Sequence, residues 1–188
     1  LVRFADDFLI MFQYERDAQR VYEAIIKRME LFGLELSKEK TRILPFGRSC
    51  ASRETFDFLG FTHFNSKTRK GYYSVGHKIS RKKKKQFKSN LKKWVKENRN
   101  KQFDEFMMKL NKKLTGSFNY YSLSGMIKEV RSLWIHSLYV TFKWMNRRSQ
   151  RRSFKLERFY EVWNDRIIRP YIHVDIWSGD KVIYNKNV

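Results

Sequence analysis

Cysteine and long apolar runs are what this sequence lacks most clearly. A single cysteine, Cys50, occurs among 188 residues, which excludes a disulfide within the chain and a zinc site built from several cysteines. This usage fits a reducing, intracellular setting. No apolar run approaches the ~20 residues needed to span a bilayer, and no signal peptide is recognisable. We therefore expect an intracellular protein without a membrane partner.

Acidic residues are scarce as well. The chain has 19 Asp and Glu against 41 Lys and Arg, a formal net charge of +22. Residues 1–65 hold ten of each sign, so the whole surplus lies in residues 66–188. Such a step indicates a neutral module joined to a module that binds a polyanion. A basic tail is the alternative, but the segment is rich in Phe, Tyr and Trp, unlike solvated tails, and aromatic residues among cations suit stacking on bases.

The first third of the chain has the pattern of short strands with one helix. Leu1–Phe4 and Phe8–Phe12 are β-prone runs separated by a turn at Ala5-Asp6-Asp7. Residues 15–32 have helical spacing and are followed by Gly33, a typical helix C-cap. Further strands are expected at 34–36, 41–46, 56–64 and 71–75, the third of which alternates large apolar residues.

After residue 79 the apolar period becomes helical. Ser80 can cap a helix whose core face holds Phe87, Leu91, Trp94 and Val95. Three further helices are predicted around 103–114, 126–148 and 156–163. Tyr171–Trp177 and Lys181–Tyr184 suggest a closing hairpin after Pro170. The fold class is therefore α+β at the front, with hairpin strands and one packed helix, followed by an all-α bundle.

The adjacent carboxylates Asp6 and Asp7 are the first candidates for chemistry. Nucleotidyl transfer uses two divalent ions roughly 3.5–4 Å apart, and Mg²⁺ favours carboxylate and phosphate oxygens. Two aspartates at one tight turn can offer two ligands to such a site. On its own the pair is weak evidence, because Asp is also a common turn residue.

Several motifs make the chain resemble group II intron-encoded reverse transcriptases, which are also maturases. Residues 1–10 (LVRFADDFLI) resemble the Tyr-Ala-Asp-Asp hairpin of these enzymes. Residues 33–41 (GLELSKEKT) are similar to the next conserved block, and residues 56–61 (FDFLGF) to the primer grip. Residues 78–81 (KISR) and 110–121 (LNKKLTGSFNYY) resemble the maturase domain that also serves as thumb. The resemblance covers nearly the whole chain in the order of the family's blocks.

The resemblance implies roles for individual residues. Asp6 and Asp7 match the adjacent metal-binding, catalytic carboxylates, with two Mg²⁺ as cofactor. Phe4 and Ala5 match residues close to the incoming nucleotide or primer end, and Lys40 a basic residue near the nucleotide phosphates. The loop that presents the primer terminus is matched by Phe58, Leu59 and Gly60. For Phe58 and Leu59, plain sheet packing explains the pattern equally well.

Two departures from the family pattern matter. Position 4 is Phe where Tyr is usual, which removes a hydroxyl group and keeps the ring. The family's third carboxylate lies on an earlier strand, whereas this sequence opens at Leu1 inside an apolar run. We therefore expect the isolated chain not to polymerise, and we expect a fragment or a gene product without the front of the polymerase.

Two basic groups are candidates for binding RNA. The first lies on the predicted helix after Ser80, where cations face the positive end of the helix dipole, an unfavourable position that a phosphate backbone would offset. The second lies at the end of the long helix, where cations are favoured in any case. A solvated charged face stays an alternative for both. The candidates are Arg81, Lys82, Lys83, Lys84, Lys85, Lys88, Lys92, Arg147, Arg148, Arg151 and Arg152.

These features predict three segments: 1–76, the rear of a polymerase palm with the primer grip; 77–166, a helical thumb and maturase domain; and 167–188, a C-terminal extension. The function implied is RNA-directed DNA polymerisation by a group II intron enzyme that also binds the intron RNA for splicing. The partners implied are that RNA, a template–primer duplex and deoxynucleotides, in a ribonucleoprotein of bacterial cytoplasm or an organellar matrix. The alternative is a non-enzymatic RNA-binding splicing factor. Whether the chain forms a homodimer is left open.

Overall fold

The computed structural model describes residues 1–37, 39–48, 50, 52–148, 153–172 and 174. Within them, two small antiparallel sheets come early and five helices make up most of the rest. The α+β architecture expected from the sequence is thus confirmed. The chain divides into two compact units, residues 1–59 with 63–76, and residues 60–62 with 77–188. No helix in the described residues is long and apolar enough to cross a membrane.

The chain opens with the predicted hairpin. Strand β1 (Val2–Phe4) pairs antiparallel with β2 (Asp7–Leu9), with Val2 opposite Leu9 and Phe4 opposite Asp7. This register leaves a two-residue turn of Ala5 and Asp6. Ala5 adopts a φ of 53°, as the first residue of a tight hairpin turn commonly does. The hairpin forms where the sequence predicts it, but Asp7, expected in the turn, begins β2, and the strand expected over Phe8–Phe12 ends at Leu9.

Helix α1 (Glu15–Leu31) follows, and it ends where Gly33 predicts. Gly33 has a φ of +67°. Its N–H donates to the carbonyl of Glu30, and the N–H of Leu34 donates to that of Met29. This is the Schellman arrangement, which needs a left-handed residue just after the helix. The predicted apolar face is half-buried or buried except at Phe32, which is exposed.

Two of the predicted strands do not form. Residues 34–36 and 41–46 have no strand pairing among the described residues. A β-strand needs a neighbour for its backbone groups, and here other bonds are made. The N–H groups of Lys40 and Thr41 both donate to the carbonyl of Ser37. The Arg42 guanidinium, not a backbone N–H, donates to the carbonyl of Thr55 at 2.6 Å.

The alternating segment 56–64 is divided between two strands. Strands β3 (Thr55–Phe58), β4 (Phe61–Lys67) and β5 (Tyr73–Ile79) form a sheet in the order β3-β4-β5. The expected single run is broken at Leu59 and Gly60, which form a turn. The last strand was expected at 71–75 and instead extends to Ile79, directly before the first helix of the bundle.

The remaining helices form a bundle around one core. They are α2 (Arg81–Asn98), α3 (Phe103–Tyr121), α4 (Ile127–Met145) and α5 (Leu156–Arg166). Every member of the main buried cluster lies between Ile79 and Ile167, and its largest fully buried side chain is Trp163. The helices predicted from the 3.6-residue period are confirmed, because each has a wide apolar face to bury.

Ser80 caps α2 as expected, since its hydroxyl oxygen accepts the N–H of Lys83 at 3.4 Å. The predicted closing hairpin lies largely outside the described residues. Within them, Val174 forms a parallel bridge with Leu123, and its carbonyl accepts the N–H of Ser124 at 3.0 Å.

Candidate functional site

The two adjacent carboxylates lie at the tip of the β1–β2 hairpin. Asp6 is in the turn and Asp7 is the first residue of β2, and both are exposed. The Arg3 side chain donates through Nε to the carbonyl of Ala5 at 2.9 Å, which fixes the turn backbone. The hairpin therefore leaves both carboxylates open to solvent and to a ligand.

The donor set of this turn fits Mg²⁺. This hard cation is usually held by one or two carboxylates, while waters and substrate phosphates complete its six ligands. Among the described residues, no group of three or more His, Cys, Asp or Glu side chains comes together. The turn can thus supply carboxylate ligands. A site for two metal ions would need further ligands besides Asp6 and Asp7.

The neighbouring predicted residues are also accessible. Phe4 is 63% exposed although it belongs to β1, so its ring is not part of a core. Ala5 occupies the left-handed position of the turn and is exposed. Lys40 is exposed in the turn that follows Ser37. Each of the three could contact a ligand from its own position on the surface.

The predicted primer-grip residues Phe58, Leu59 and Gly60 are half-buried around a tight turn. Leu59 has a φ of 50° and Gly60 a φ of 82°. A left-handed backbone costs a branched residue such as Leu roughly 1–2 kcal/mol, so this turn is held against an intrinsic preference. Such positions occur at functional sites and at tight hairpins alike.

Helix α2 presents most of the first basic group to solvent. No acidic residue occurs in its first turn. Five exposed cations follow one another at intervals of four, three, four and four residues, so they share one side of the helix. We call them the cationic stripe: Arg81, Lys85, Lys88, Lys92 and Lys96. Lys82 and Lys83 are also exposed but lie off this line.

Lys84 differs from its neighbours because it is half-buried and paired. Its Nζ lies 2.7 Å from Oε1 of Glu129 on α4, and the other carboxylate oxygen accepts the N–H of Ile79 at 2.8 Å. Glu129 lies 45 residues beyond Lys84 in the chain, and sequence reasoning missed it. Its negative charge at the start of α2 offsets part of the cost of cations at that end of the helix.

The second basic group is only partly within the described residues. Arg147 and Arg148 are exposed just after α4, whereas Arg151 and Arg152 lie outside the part of the chain that the structure describes. The guanidinium carbon of Arg147 is 5.5 Å from the ring centroid of Trp144. Arg148 Nη1 lies 3.6 Å from the sulfur of Met145.

The aromatic pair at the end of α3 is split between core and surface. Tyr121 is half-buried, and burial raises the pKa of its hydroxyl. Tyr120 is 52% exposed, although its ring stacks on Phe61 at 5.6 Å. Asn119 is exposed. Tyr121 thus belongs in part to the core, whereas Asn119 and Tyr120 are accessible to a ligand.

Comparison with known proteins gives one match. Residues 1–63 match the family model described as reverse transcriptase (RNA-dependent DNA polymerase). No curated protein and no solved structure matches the chain. The matched segment contains the hairpin with Asp6 and Asp7, the exposed Lys40 and the turn at Leu59 and Gly60. The first 63 residues of this chain are therefore similar to the reverse transcriptase family, whose members are RNA-dependent DNA polymerases.

Proposed function

We propose that this chain is the rear part of a group II intron reverse transcriptase and maturase. Residues 1–76 would be the rear of the palm, 77–166 the thumb and maturase domain, and 167–188 a C-terminal extension. The observation that carries the proposal is the pair of exposed carboxylates on a hairpin turn, inside the segment that matches the reverse transcriptase family model. The motifs at 78–81 and 110–121 extend the resemblance to the maturase domain.

In the proposed polymerase, Asp6 and Asp7 would hold Mg²⁺. The ion, when bound, supplies charge that stabilises the attacking and leaving oxygens of phosphoryl transfer. Phe4 and Ala5 directly precede the two aspartates in the same hairpin and would border the incoming deoxynucleotide. Lys40 would offer its ammonium group to the nucleotide phosphates, where a point charge suffices.

The helical unit is proposed to bind RNA, either the intron or a template–primer duplex. Its cationic stripe spans about 22 Å at 1.5 Å per residue, and a helix so loaded with like charge is suited to follow a phosphate backbone. Each phosphate neutralised by a cation releases a counterion. Binding should therefore weaken steeply as salt is raised.

The binding arm of the proposal is tested with the intact chain and a labelled RNA hairpin. We expect anisotropy titrations between 50 and 200 mM KCl to show a steep loss of affinity. A Lys85→Gln, Lys88→Gln, Lys92→Gln variant should lower the slope of log affinity against log salt by roughly 2. The matched control neutralises three exposed cations of α1, Arg20, Lys27 and Arg28. Salt-independent binding, or none, contradicts the RNA-binding role.

The catalytic arm is tested by primer extension. We expect the isolated chain to extend no primer, because the described residues gather only two of the carboxylates that two-metal chemistry uses. In a longer protein that contains this chain and polymerises, Asp6→Ala or Asp7→Ala should abolish extension and leave RNA binding nearly unchanged. An Asp6→Ala, Asp7→Ala variant that still extends primers would remove the metal role.

A second candidate function is a splicing factor without polymerase activity. A different pair of observations favours it: the described residues contain no group of three or more possible metal ligands, and helix α2 exposes a row of cations. A splicing assay with a folded group II intron RNA separates the two candidates. If Asp6→Ala, Asp7→Ala leaves splicing support intact and no form of the protein extends primers, the binding role stands alone.

A further inference from the structure

Three cations converge on one tryptophan at the far end of α2. Lys96 Nζ lies 5.9 Å, Arg99 Cζ 5.1 Å and Arg147 Cζ 5.5 Å from the ring centroid of Trp144. Because all three cationic groups lie within 6 Å of the same ring centroid, they also lie close to one another. Lys96 and Arg99 come from the end of α2, and Trp144 and Arg147 from the end of α4. We call these four residues the Trp144 cluster.

The three cations of the Trp144 cluster form no ion pair with an acidic side chain among the described residues. None of the ion pairs found there joins Lys96, Arg99 or Arg147 to a carboxylate. The attraction of each cation to the indole face favours the arrangement, while the repulsion between three like charges opposes it. An anion placed among the cations would remove the repulsion and keep the contacts with the ring.

Helix geometry alone explains only part of this arrangement. Cations are favoured near helix C-termini by the helix dipole, and long basic side chains often lie along apolar surface. Both effects account for a cation at the end of either helix. Neither requires cations of two helices to meet at one half-buried ring, with Lys96 and Arg147 both exposed.

The Trp144 cluster is continuous with the cationic stripe, because Lys96 belongs to both. Early on α2, Lys84 pairs with Glu129 of α4, and late on α2, Lys96 and Arg99 meet Trp144 of α4. The start of α2 thus contacts the start of α4, and the end of α2 contacts the end of α4. The two helices therefore lie side by side and run in the same direction. Along most of α2 the cationic stripe is one row of side chains. At the end of the helix, Arg99 and Arg147 lie near the last member of the row, Lys96.

We propose that the Trp144 cluster is a phosphate-binding site that grips one phosphodiester of RNA at the end of the cationic stripe. The proposal rests on the RNA-binding role of the helical unit and names its anchoring point. A guanidinium group presents its N–H donors in a fixed planar fork, which can bind two phosphate oxygens at once. Arg99 and Arg147 supply these donors, Lys96 adds a point charge, and Trp144 positions all three.

The first test neutralises the two arginines and compares charge-matched variants of the intact chain. The probe is a labelled RNA hairpin at about 0.1 M KCl. Arg99→Gln with Arg147→Gln should weaken binding at least tenfold. Lys128→Gln with Arg131→Gln removes the same charge from exposed positions at the other end of α4 and should weaken binding less than threefold. An equal loss in both double variants would mean that only the overall charge matters and would overturn the proposal.

The second test keeps the charge and changes the geometry. Arg99→Lys with Arg147→Lys should weaken RNA binding several-fold while the slope against salt stays nearly constant. Trp144→Leu should also weaken it, and Tyr139→Leu, which removes an exposed aromatic ring from the same helix, should not. If circular dichroism shows that Trp144→Leu does not fold, the double variant Arg99→Lys, Arg147→Lys remains the test of the site. Unchanged affinity in this double variant would contradict a site built on guanidinium groups.

The outcomes separate this inference from the broader RNA-binding role. If the wild-type chain binds no RNA, both fail. If it binds RNA with the expected salt dependence and the Trp144 cluster variants behave like their controls, only the phosphate site fails. Vesicles containing phosphatidylserine form a third arm. Vesicle binding that is lost with Arg99→Gln and Arg147→Gln, without loss of RNA affinity, would assign the cluster to a lipid headgroup instead.

Discussion

At the scale of single residues, Glu129 is a polar side chain that should contribute measurably to stability. Its carboxylate accepts the N–H of Ile79, which is 1% exposed, and pairs with Lys84. Glu129→Ala leaves that buried N–H without an acceptor, and an unsatisfied buried donor costs about 1–3 kcal/mol. We expect the free energy of unfolding to fall by about 2 kcal/mol in urea titrations followed by tryptophan fluorescence.

Two control variants show whether the hydrogen bond or the charge is responsible. Glu129→Gln keeps an oxygen that can accept from Ile79, so its effect should be about half as large. Glu161→Ala removes a carboxylate from an exposed pair with Arg158, and such pairs contribute little. If Glu129→Ala is no more destabilising than Glu161→Ala, the stabilising role assigned to the hydrogen bond between Glu129 and Ile79 is wrong.

His136 should titrate below the ordinary range for histidine. Burial and, after it, the positive charge of Lys88 lower its pKa from 6.5. The unfolded chain therefore takes up a proton on His136 before the folded chain does, and stability should fall as the pH drops below 6.5. Lys88→Gln should raise the pKa of His136 in a titration of the imidazole signals by NMR, whereas Lys112→Gln should not. A His136 pKa unaffected by Lys88→Gln would contradict the contribution of that charge.

At the scale of elements, two glycines should respond to alanine with opposite signs. Gly33 ends α1 with a φ of +67°, and Gly116 lies within α3, where a Cβ would meet no atom within 4 Å. Gly33→Ala forces a left-handed alanine and should destabilise α1 by about 1 kcal/mol. Gly116→Ala should stabilise α3 by about 0.5–1 kcal/mol. Hydrogen exchange of the amides in each helix measures both effects, and a stabilising Gly33→Ala would contradict the left-handed cap.

Helices proved easier to predict than strands because their signals are local. The apolar period, the cap at Ser80 and the stop at Gly33 all lie within a few residues of the helix they define. The strands expected at 34–36 and 41–46 had the right composition, but a strand exists only with a partner, and Arg42 meets Thr55 through its side chain. Pairing partners distant in sequence are not encoded by local alternation.

The candidate sites also differ in whether local sequence predicts them. The exposed turn at Asp6 and Asp7 follows from adjacent residues, so the sequence predicts it. Glu129 and the Trp144 cluster depend on α2 and α4 lying side by side, and the chain separation between Lys84 and Glu129 is 45 residues. Charge and helical period predict that α2 is basic, but they do not indicate which α4 residues will meet it.

At the scale of the whole molecule, the uneven charge should give stability and RNA binding opposite responses to salt. All of the net charge of +22 belongs to residues 66–188, which include the helical bundle. Repulsion among these cations opposes folding of the bundle, and salt screens it. Salt also weakens RNA binding, because counterions compete with the protein for phosphates.

We therefore expect KCl between 0.05 and 0.5 M to raise the midpoint of thermal unfolding by a few degrees while it abolishes most RNA binding. All five tryptophans lie at or beyond Trp94, and four of them lie in helices of the bundle, so tryptophan fluorescence reports mainly on it. In the variant Lys85→Gln, Lys88→Gln, Lys92→Gln, salt has less repulsion to screen. Its midpoint of thermal unfolding should therefore rise less with salt than that of the Arg20, Lys27 and Arg28 control. Chloride is used because sulfate stabilises proteins by exclusion from their surface. A bundle that chloride destabilises would show that its cations are already compensated within the fold, and the main physical reason to expect an RNA partner would be lost.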